Sequence, residues 1–357
     1  ALFLIGRVLQ GVGAGWVVGL CYVAIGTVFP ESLWPRVLAS VSGVWGGATL
    51  LSPLIGGLFA EAGLWRWAFW FFAMQGVGFA VAAYFLLSPV RPKNEGGALP
   101  LAQLVLLTVG IGAIGVAGIV LDVWVALVLG IFGLALMGEF LRLDGDARSP
   151  LLPRASRHFA TAAGSGYAMI FAMSASAIAF SVYGAAILQA LFGTSPLVAG
   201  YILAIESAAW TVTALAVAGL GVRWEGIMLK AGALSVLVAS VLLTLAMGAG
   251  PLAVICVAAA FLGGGFGLAW SFITRRIIVS VPDDERSLAS AAVPTMQMIG
   301  YAAGSAGAGV IANFLGFADG IDAEIAHAGA FWLFGAFVPV AFCAVIAAWR
   351  LSSRAFD

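Results

Sequence analysis

Residues Gly43 to Gly57 read GVWGGATLLSPLIGG, a stretch that is apolar enough to lie within a lipid bilayer and that carries no charge. Gly43 and Gly47 are one helical turn apart, and Gly56 and Gly57 follow further along. Small residues at such spacings let the backbone of a neighbouring helix approach closely. The stretch therefore predicts a membrane helix that is built for close helix contact, and not a plain anchor.

Ser52 and Pro53 interrupt this predicted helix. Proline has no amide hydrogen, and its ring clashes with the carbonyl group four residues earlier, here that of Thr49. We expect the helix to bend at this point and to leave that carbonyl group without its usual helical partner. Such a bend is compatible with a purely structural span and with a functional one.

The composition of the whole chain excludes a soluble protein. Its residues are 63% hydrophobic and only 9% charged, and its mean hydropathy is +1.11. A single water-exposed fold could not bury so much apolar surface. Runs of about 20 apolar residues cross a bilayer, and the sequence contains eleven of them, at residues 1–28, 37–60, 67–88, 101–121, 123–141, 160–190, 197–219, 227–248, 251–274, 287–315 and 329–350. The predicted fold is an all-α, polytopic membrane helical bundle, in which the turn at Asp122 is the least marked boundary.

The net charge is zero, but the basic residues are distributed unevenly between the two sides of the membrane. If successive loops alternate in side, Arg66 lies on one side and Arg7 lies inside a span. The other side collects Arg36, Arg91, Lys93, Arg142, Arg148, Arg154, Arg157, Arg223, Lys230, Arg275, Arg276, Arg286, Arg350 and Arg354. Because basic residues near span ends stay in the cytoplasm, we predict a multi-pass protein of the cytoplasmic (inner) cell membrane with a cytoplasmic C-terminus and with Ala1 outside.

The sequence does not indicate a metal site or a cofactor. Cys21, Cys256 and Cys343 all fall within predicted spans, at spacings that fit neither a disulfide framework nor a set of metal ligands. The acidic residues and the histidine of the loop 316–328 match no metal motif, and we expect them to be solvated. We expect the lipid bilayer, a small-molecule substrate and protons as partners, no nucleic acid, and a monomer.

An internal repeat relates the two ends of the chain. RVLAS at Arg36–Ser40 recurs 250 residues later as RSLAS at Arg286–Ser290, each time after a loop with proline and an acidic residue and before a glycine-rich helix. Both copies lie on the predicted cytoplasmic side. The sequence therefore predicts two parallel, related halves, as in facilitator-type transporters.

The stretch Gly43–Gly57 resembles the antiporter motif of the major facilitator superfamily, a Gly-x-x-x-Gly run that ends in Gly-Pro-x-x-Gly-Gly in the fifth span of drug:proton exporters. Ser52 stands where the family usually has glycine. In the first span, Arg7, Gln10, Gly11, Gly13 and Ala14 resemble the Arg-x-x-Gln-Gly-x-Gly-Ala motif of the family's fourth span.

Two further spans lie between the segment 88–100 and the basic loop 142–159, and this arrangement resembles the fourteen-span drug:proton antiporter subfamily. The resemblance implies that residues 1–88 are the remainder of an N-terminal bundle (family spans four to six), residues 89–159 a linker with two inserted spans and a cytoplasmic loop, and residues 160–357 a C-terminal six-helix bundle. By this alignment the first three spans are absent, and we expect the chain to be part of a longer protein.

The resemblance implies proton-coupled export of amphipathic, cationic, drug-like compounds by alternating access of two bundles. Alternatives are a metabolite exporter or a symporter on the same fold, and a truncated fragment without activity. A membrane-embedded enzyme would need a nucleophile and base, or an acid and metal cluster, near a membrane face. The sequence offers no such cluster, and we predict no enzymatic activity.

Proton coupling requires a group that exchanges a proton within the membrane. A carboxylate in an apolar site can do so because desolvation disfavours its charged form. Glu206, two turns inside a span with Trp210 one turn further on, is the best candidate, and Arg7 is the second. A carboxylate wetted by an outer vestibule or bonded to a neighbour remains an alternative for Glu206, and an arginine extending to the interface remains one for Arg7.

Other polar residues within spans are candidates to line a central cavity: Gln10, Tyr183, Gln189 and Gln297, together with Trp210. Each could instead tie helices together by hydrogen bonds. For Glu139, a local ion pair with Arg142 at i+3 is the better interpretation.

Overall fold

The computed structural model describes residues 2–28, 34–87, 100–147, 150–317 and 320–353, and every regular element among them is helical. The α-helices in these ranges are α1 (Leu2–Val28), α2 (Trp34–Glu61), α3 (Trp65–Leu87), α4 (Leu101–Ala117), α5 (Val123–Asp146), α6 (Ala162–Phe192), α7 (Pro196–Val217), α8 (Glu225–Ala246), α9 (Leu252–Val279), α10 (Arg286–Phe314), α11 (Ala323–Gly335) and α12 (Val338–Ser353).

The helices confirm the predicted all-α membrane fold. Seven segments of the described chain are long and apolar enough to cross a membrane, and α4 is a shorter apolar helix. Each predicted span overlaps one of the helices, except the last, which covers both α11 and α12. The break at Ala336 and Phe337 has a local cause: Pro339 cannot donate a hydrogen bond to the carbonyl group of Gly335.

Side-chain caps fix several helix starts. The Asp122 carboxylate accepts hydrogen bonds from the backbone N–H groups of Trp124 (2.9 Å) and Val125 (3.1 Å), so the weakly marked turn is a capped boundary between α4 and α5. Ser195 caps α7 in the same way, with Pro196 at the first position. Both caps satisfy backbone donors that a helix start leaves without partners.

Contacts between distant segments define two ends of the bundle. At one end, Arg154 meets Glu285, Arg275 meets Glu225, and Arg350 lies over the ring of Phe159. We call this end the basic face, because most of the described basic residues lie near it. The opposite face holds the α4–α5 turn, the start of α7 and the residues between α10 and α11.

Helices α6 to α12, which we call the C-terminal helices, pack around one apolar core. Helix α6 packs against α10 and α12, and α9 packs against both α7 and α8. Tyr167, on α6, is buried and donates a hydrogen bond to the carbonyl oxygen of Ala289 on α10 at 2.9 Å.

Helices α1 to α3 are different, because they expose most of their described large apolar side chains. Their extensive contact with later helices in the described part of the chain is made by α2, which packs against α7. This contact joins the helix of the Gly43–Gly57 stretch to the helix of Glu206.

Candidate functional site

Glu206 lies at the middle of α7. It follows Pro196 by ten residues, which at 1.5 Å per residue is about 15 Å, half of a hydrocarbon core of roughly 30 Å. Its side chain is half-buried, and its Oε2 accepts a hydrogen bond from the Ser181 hydroxyl of α6 at 3.4 Å. None of the salt bridges among the described residues involves Glu206.

A close crossing of α7 and α9 places the Glu206 backbone against α9. A methyl group at Gly263 would lie 2.9 Å from the Glu206 Cα and closer still to the Glu206 carbonyl group. Gly267, one turn along α9, faces the backbone of Trp210 in the same way, and Thr213 donates a hydrogen bond to the Gly264 carbonyl oxygen at 3.2 Å. The glycines of α9 therefore form a shallow groove that holds the Glu206–Thr213 part of α7.

Aromatic side chains lie one turn from Glu206, between α7 and α9. The Trp210 ring stacks on Phe266 with centroids 4.8 Å apart and planes at 20°. Trp270 lies 5.4 Å from Trp210 at 56°. The three rings form an aromatic cluster, whose faces carry the negative end of the ring quadrupole and attract cations.

Helix α10 contributes polar groups that act on Glu206 electrostatically. Gln297 Nε2 donates a hydrogen bond to the Tyr301 hydroxyl at 3.2 Å, and the Tyr301 phenol interacts electrostatically with the Glu206 carboxylate. The described polar neighbours of Glu206 are therefore the Ser181 hydroxyl of α6 and the Tyr301 phenol of α10, and the aromatic cluster begins one turn along α7. A carboxylate in such a setting can hold either a proton or an organic cation.

Helix α2 reaches α7 through Gly57. A methyl group at this position would lie 2.8 Å from Leu197 Cδ1 and 2.9 Å from its Cα, so the two helices touch where residue 57 has no side chain. A methyl group at Gly47 or at Gly56 would meet no atom within 4 Å, and Ser52 is exposed. The surroundings of Gly43 and Pro53 lie outside the described residues, and the predicted bend stays a prediction.

Comparison with known proteins identifies the family. Residues 1–188 match the sequence profile of the Major Facilitator Superfamily. The chain is 32% identical to a probable multidrug-efflux transporter of Mycobacterium tuberculosis over 380 aligned positions, which cover 99% of this chain and 76% of that protein. The chain belongs to the major facilitator superfamily. It is accordingly a transporter with several membrane spans, and not an enzyme.

Shorter similarities of this major facilitator chain concern other exporters. It is 26% identical over 160 residues to the multidrug transporter protein MdtP of Bacillus subtilis, covering 42% of this chain and 29% of that protein. It is 38% identical over 93 residues to a rubrofusarin-specific efflux pump of Gibberella zeae, covering 26% and 17%.

Arg7 lies in another part of this facilitator fold. It donates a hydrogen bond to Gln10 on its own helix at 3.1 Å and lies 5.3 Å above the ring of Phe69 on α3. These contacts connect α1 to α3, whereas the described contacts of Glu206 are with the C-terminal helices. None of these contacts joins Arg7 to Glu206, the two candidates for proton coupling.

The cavity candidates separate into two groups. Trp210 lies one helical turn from Glu206, and Gln297 bonds to Tyr301, whose phenol interacts electrostatically with Glu206. Tyr183 packs its ring against Phe317, with centroids 6.0 Å apart, and Gln189 bonds to the carbonyl oxygen of Ala185 on its own helix at 3.1 Å. Both contacts are towards the opposite face, away from the aromatic cluster.

A second buried carboxylate of this facilitator chain, that of Glu225, was not identified from the sequence. Glu225, at the start of α8, is 1% exposed and pairs with Arg275 at 2.9 Å and Arg276 at 3.8 Å. Two guanidinium groups stabilise its charged form. The predicted pair of Glu139 with Arg142 is confirmed at 3.7 Å, on the protein surface.

Ser181, Tyr301, Phe266 and Trp270 were likewise missed, because each lies on a helix other than α7. The four-residue spacing of Gly263 and Gly267 is the signal that could have found α9 as the partner of α7. Nothing in the sequence alone connects these glycines to Glu206.

Proposed function

We propose that this protein exports amphipathic, cationic organic compounds in exchange for protons, by alternating access of two groups of helices. The observation that carries the proposal is the position of Glu206, a half-buried carboxylate at mid-depth among hydroxyl groups and aromatic rings. Similarity to proteins named as efflux transporters supports the export direction.

The contrast between Glu206 and Glu225 supports a proton-carrying role for Glu206. Glu225 has two arginine partners, whose positive charges favour its charged form and oppose the effect of its burial. Glu206 has a hydroxyl donor and a tyrosine as its described polar neighbours. A carboxylate that is removed from water without a cationic partner can take up a proton at low free-energy cost, and can release it when a substrate cation or water approaches.

The aromatic cluster supports a cationic substrate with an apolar body. A planar or bulky organic cation that contacted Trp210 could place its charge near Glu206, one helical turn away. Cation–π attraction and the carboxylate would then act on the same charge. Proton and substrate would compete for Glu206, and such competition couples their movements in opposite directions.

The α2–α7 contact at Gly57 and Leu197 is our proposed contact between the two moving groups. Rocking of one group against the other requires an interface with little interlocking side-chain bulk, which glycine provides. Arg7 is proposed as a second coupling residue on the α1–α3 side. We further propose membership of the fourteen-span subfamily, on the basis of the α4–α5 pair between the two groups, and a monomer.

The uneven charge distribution supports a cytoplasmic location of the basic face, and hence of the C-terminus, in the cell membrane. Of the described basic residues, Arg142, Arg154, Arg223, Arg275 and Arg286 adjoin helix ends at this face. Fluorescence of a reporter fused to the C-terminus, one that folds only in the cytoplasm, tests this orientation. Activity of a second C-terminal fusion, to a reporter enzyme that is active only outside the cytoplasm, would contradict this orientation.

The test of the transport proposal is efflux of ethidium from liposomes that contain the complete protein and bear an imposed pH gradient. We expect wild-type efflux to depend on the gradient. Glu206→Gln keeps the size and hydrogen bonding of the side chain but cannot exchange a proton, so we expect gradient-dependent efflux to fall to the level of empty liposomes.

Glu139→Gln is the matched control, because it makes the same chemical change in a surface ion pair. It should retain wild-type efflux. Gradient-driven efflux by the Glu206→Gln protein would show that Glu206 is not required for proton coupling. It would leave the proposal of proton-driven export standing. Absence of gradient-driven efflux in the wild type, for ethidium and for other lipophilic cations, would refute cation:proton exchange.

A further inference from the structure

The α4–α5 hairpin, residues 101–146, is fastened to the C-terminal helices at its opposite-face turn. A methyl group at Gly118 would lie 2.7 Å from the carbonyl oxygen of Ala306 on α10, and Gly309 meets the Gly118 carbonyl group equally closely. Asn313, also on α10, donates a hydrogen bond to the Gly118 carbonyl oxygen at 3.1 Å. This oxygen follows the end of α4, where backbone carbonyl groups lack helical partners.

Apolar contacts attach the hairpin in the region of its helices and at the basic face. Leu106 and Leu107 of α4 pack against the apolar core of the C-terminal helices. Phe140 of α5 and Leu152 of the following loop are 2% and 4% exposed and belong to that core. Burial of each large apolar side chain in protein removes it from contact with lipid and replaces that contact with tight packing.

Polar contacts complete the attachment at the basic face. Asp144, 1% exposed at the end of α5, accepts hydrogen bonds from the backbone N–H groups of Leu151 (2.5 Å) and Leu152 (3.0 Å). The next residues continue to Arg154, whose backbone N–H donates to Glu285 Oε2 at 3.2 Å, just before α10. Hydrogen bonds to a buried carboxylate are among the stronger ones in proteins, so the loop is held firmly against the hairpin.

The described contacts of the hairpin outside itself are thus with the C-terminal helices and the segments that adjoin them. In the described part of the chain, α4 packs extensively against α5 and α10, and the extensive contact of α1–α3 with later helices runs through α2 and α7. We infer that the α4–α5 hairpin is a fixed part of the C-terminal helices and moves with them, as one rigid body, relative to α1–α3. The inference rests on the proposed alternating access, in which the two groups move.

The first test joins pairs of cysteines, in a complete protein whose native cysteines are replaced by alanine. Val123→Cys with Val310→Cys spans a cavity of ≈ 220 Å³ between the hairpin and α10, and a short bifunctional thiosulfonate can bridge it. Gly57→Cys with Leu197→Cys joins α2 to α7. We expect the first link to leave ethidium efflux within about twofold of the same variant before linking, and the second to lower it more than about tenfold relative to the same variant after a reductant is added.

A hairpin link that blocks efflux reversibly would overturn the inference, because it would show that α5 and α10 must separate during transport. The second test is independent of transport. Spin labels are placed at exposed, lipid-facing positions, Val77 on α3, Val128 on α5 and Leu245 on α8. Their distances are measured by pulsed electron paramagnetic resonance at two pH values, with and without ethidium.

We expect a narrow Val128–Leu245 distribution that stays unchanged while the Val77–Leu245 distance shifts. A Val128–Leu245 distance that shifts as much as Val77–Leu245 refutes the rigid attachment. If Val77–Leu245 stays constant and the wild type does not transport, the proposed function fails; a narrow Val128–Leu245 distribution then still supports the attachment, and a broad one refutes it.

A matched pair of variants, at the end of α4 and within it, connects the result to the observed contact. Gly118→Leu forces a side chain against Ala306, whereas Gly115→Leu enters open space. The Val128–Leu245 distribution should broaden in the first and stay narrow in the second. Equal distributions in both variants would show that the close approach at Gly118 does not hold the hairpin.

Discussion

The close crossing of α7 and α9 predicts a large difference between two neighbouring glycines. In Gly263→Ala, the added methyl group would lie 2.9 Å from the Glu206 Cα and closer to the Glu206 carbonyl group, which is backbone and cannot rotate away. In Gly264→Ala, the nearest atom is Thr213 Cγ2 at 3.6 Å, an ordinary contact. The same chemical change is therefore crowded at one position and accommodated at the next.

The magnitude follows from this geometry. Relief of the contact at residue 263 requires α7 to move away from α9, and overpacking of this kind costs about 1–3 kcal/mol. Both variants gain the same helix propensity, worth up to about 1 kcal/mol, so this gain cancels in the difference between them. We therefore expect the two variants to differ by about 2 kcal/mol in stability, with Gly263→Ala the weaker. The same movement displaces Glu206 and Trp210 relative to Phe266, so efflux should also fall in Gly263→Ala alone.

The assay is thermal unfolding of the purified complete protein in detergent, with Cys21 and Cys343 replaced by alanine, and it is monitored by the reaction of the half-buried Cys256 with a fluorogenic maleimide. Cys256 lies in α9 and is a suitable reporter, since its exposure depends on the packing of that helix. Ethidium efflux from liposomes is measured in parallel. Equal midpoints and equal efflux for the two alanine variants would refute the crossing of Gly263 and Glu206.

Two further predictions concern the ends of the site. Glu225→Gln removes the ion pair with Arg276, whose side chain is 11% exposed, and should destabilise the protein by about 3 kcal/mol. Glu139→Gln acts on a surface pair and should cost less than about 1 kcal/mol in the same melting assay. Similar unfolding midpoints for the two variants would contradict this prediction. Gly57→Val places its branched side chain against Leu197 and should slow efflux without loss of protein from the membrane, and unchanged efflux would show that α2 and α7 are not in contact during the cycle.

Local sequence signals determined the helices and their boundaries. Apolar runs gave the spans, because a segment in lipid must be apolar over its whole length and must satisfy its backbone within a helix. The turn at Asp122 and the pair of Glu139 with Arg142 could be predicted because both partners lie within three residues of each other. The break before α12 was not predicted, although Pro339 marks it in the sequence.

The candidate site was predicted only in part. Glu206 and Trp210 were found because they share one helix and are unusual in an apolar span. Ser181, Tyr301 and Phe266 complete the site from three other helices, at sequence distances that no periodic pattern connects.

What the sequence by itself determined is therefore the all-helical membrane fold, the spans and the family motifs. Only the tertiary structure decided that Gly263 lies against Glu206, that Glu225 pairs with Arg275, and that Asn313 fastens the α4–α5 hairpin to α10. The physical reason lies in the bilayer. In water, an apolar face marks the side of a helix that packs, but in lipid the surroundings are as apolar as the core. The partners of membrane helices are then chosen by small residues, shape and single hydrogen bonds, and these become visible only when the helices are brought together.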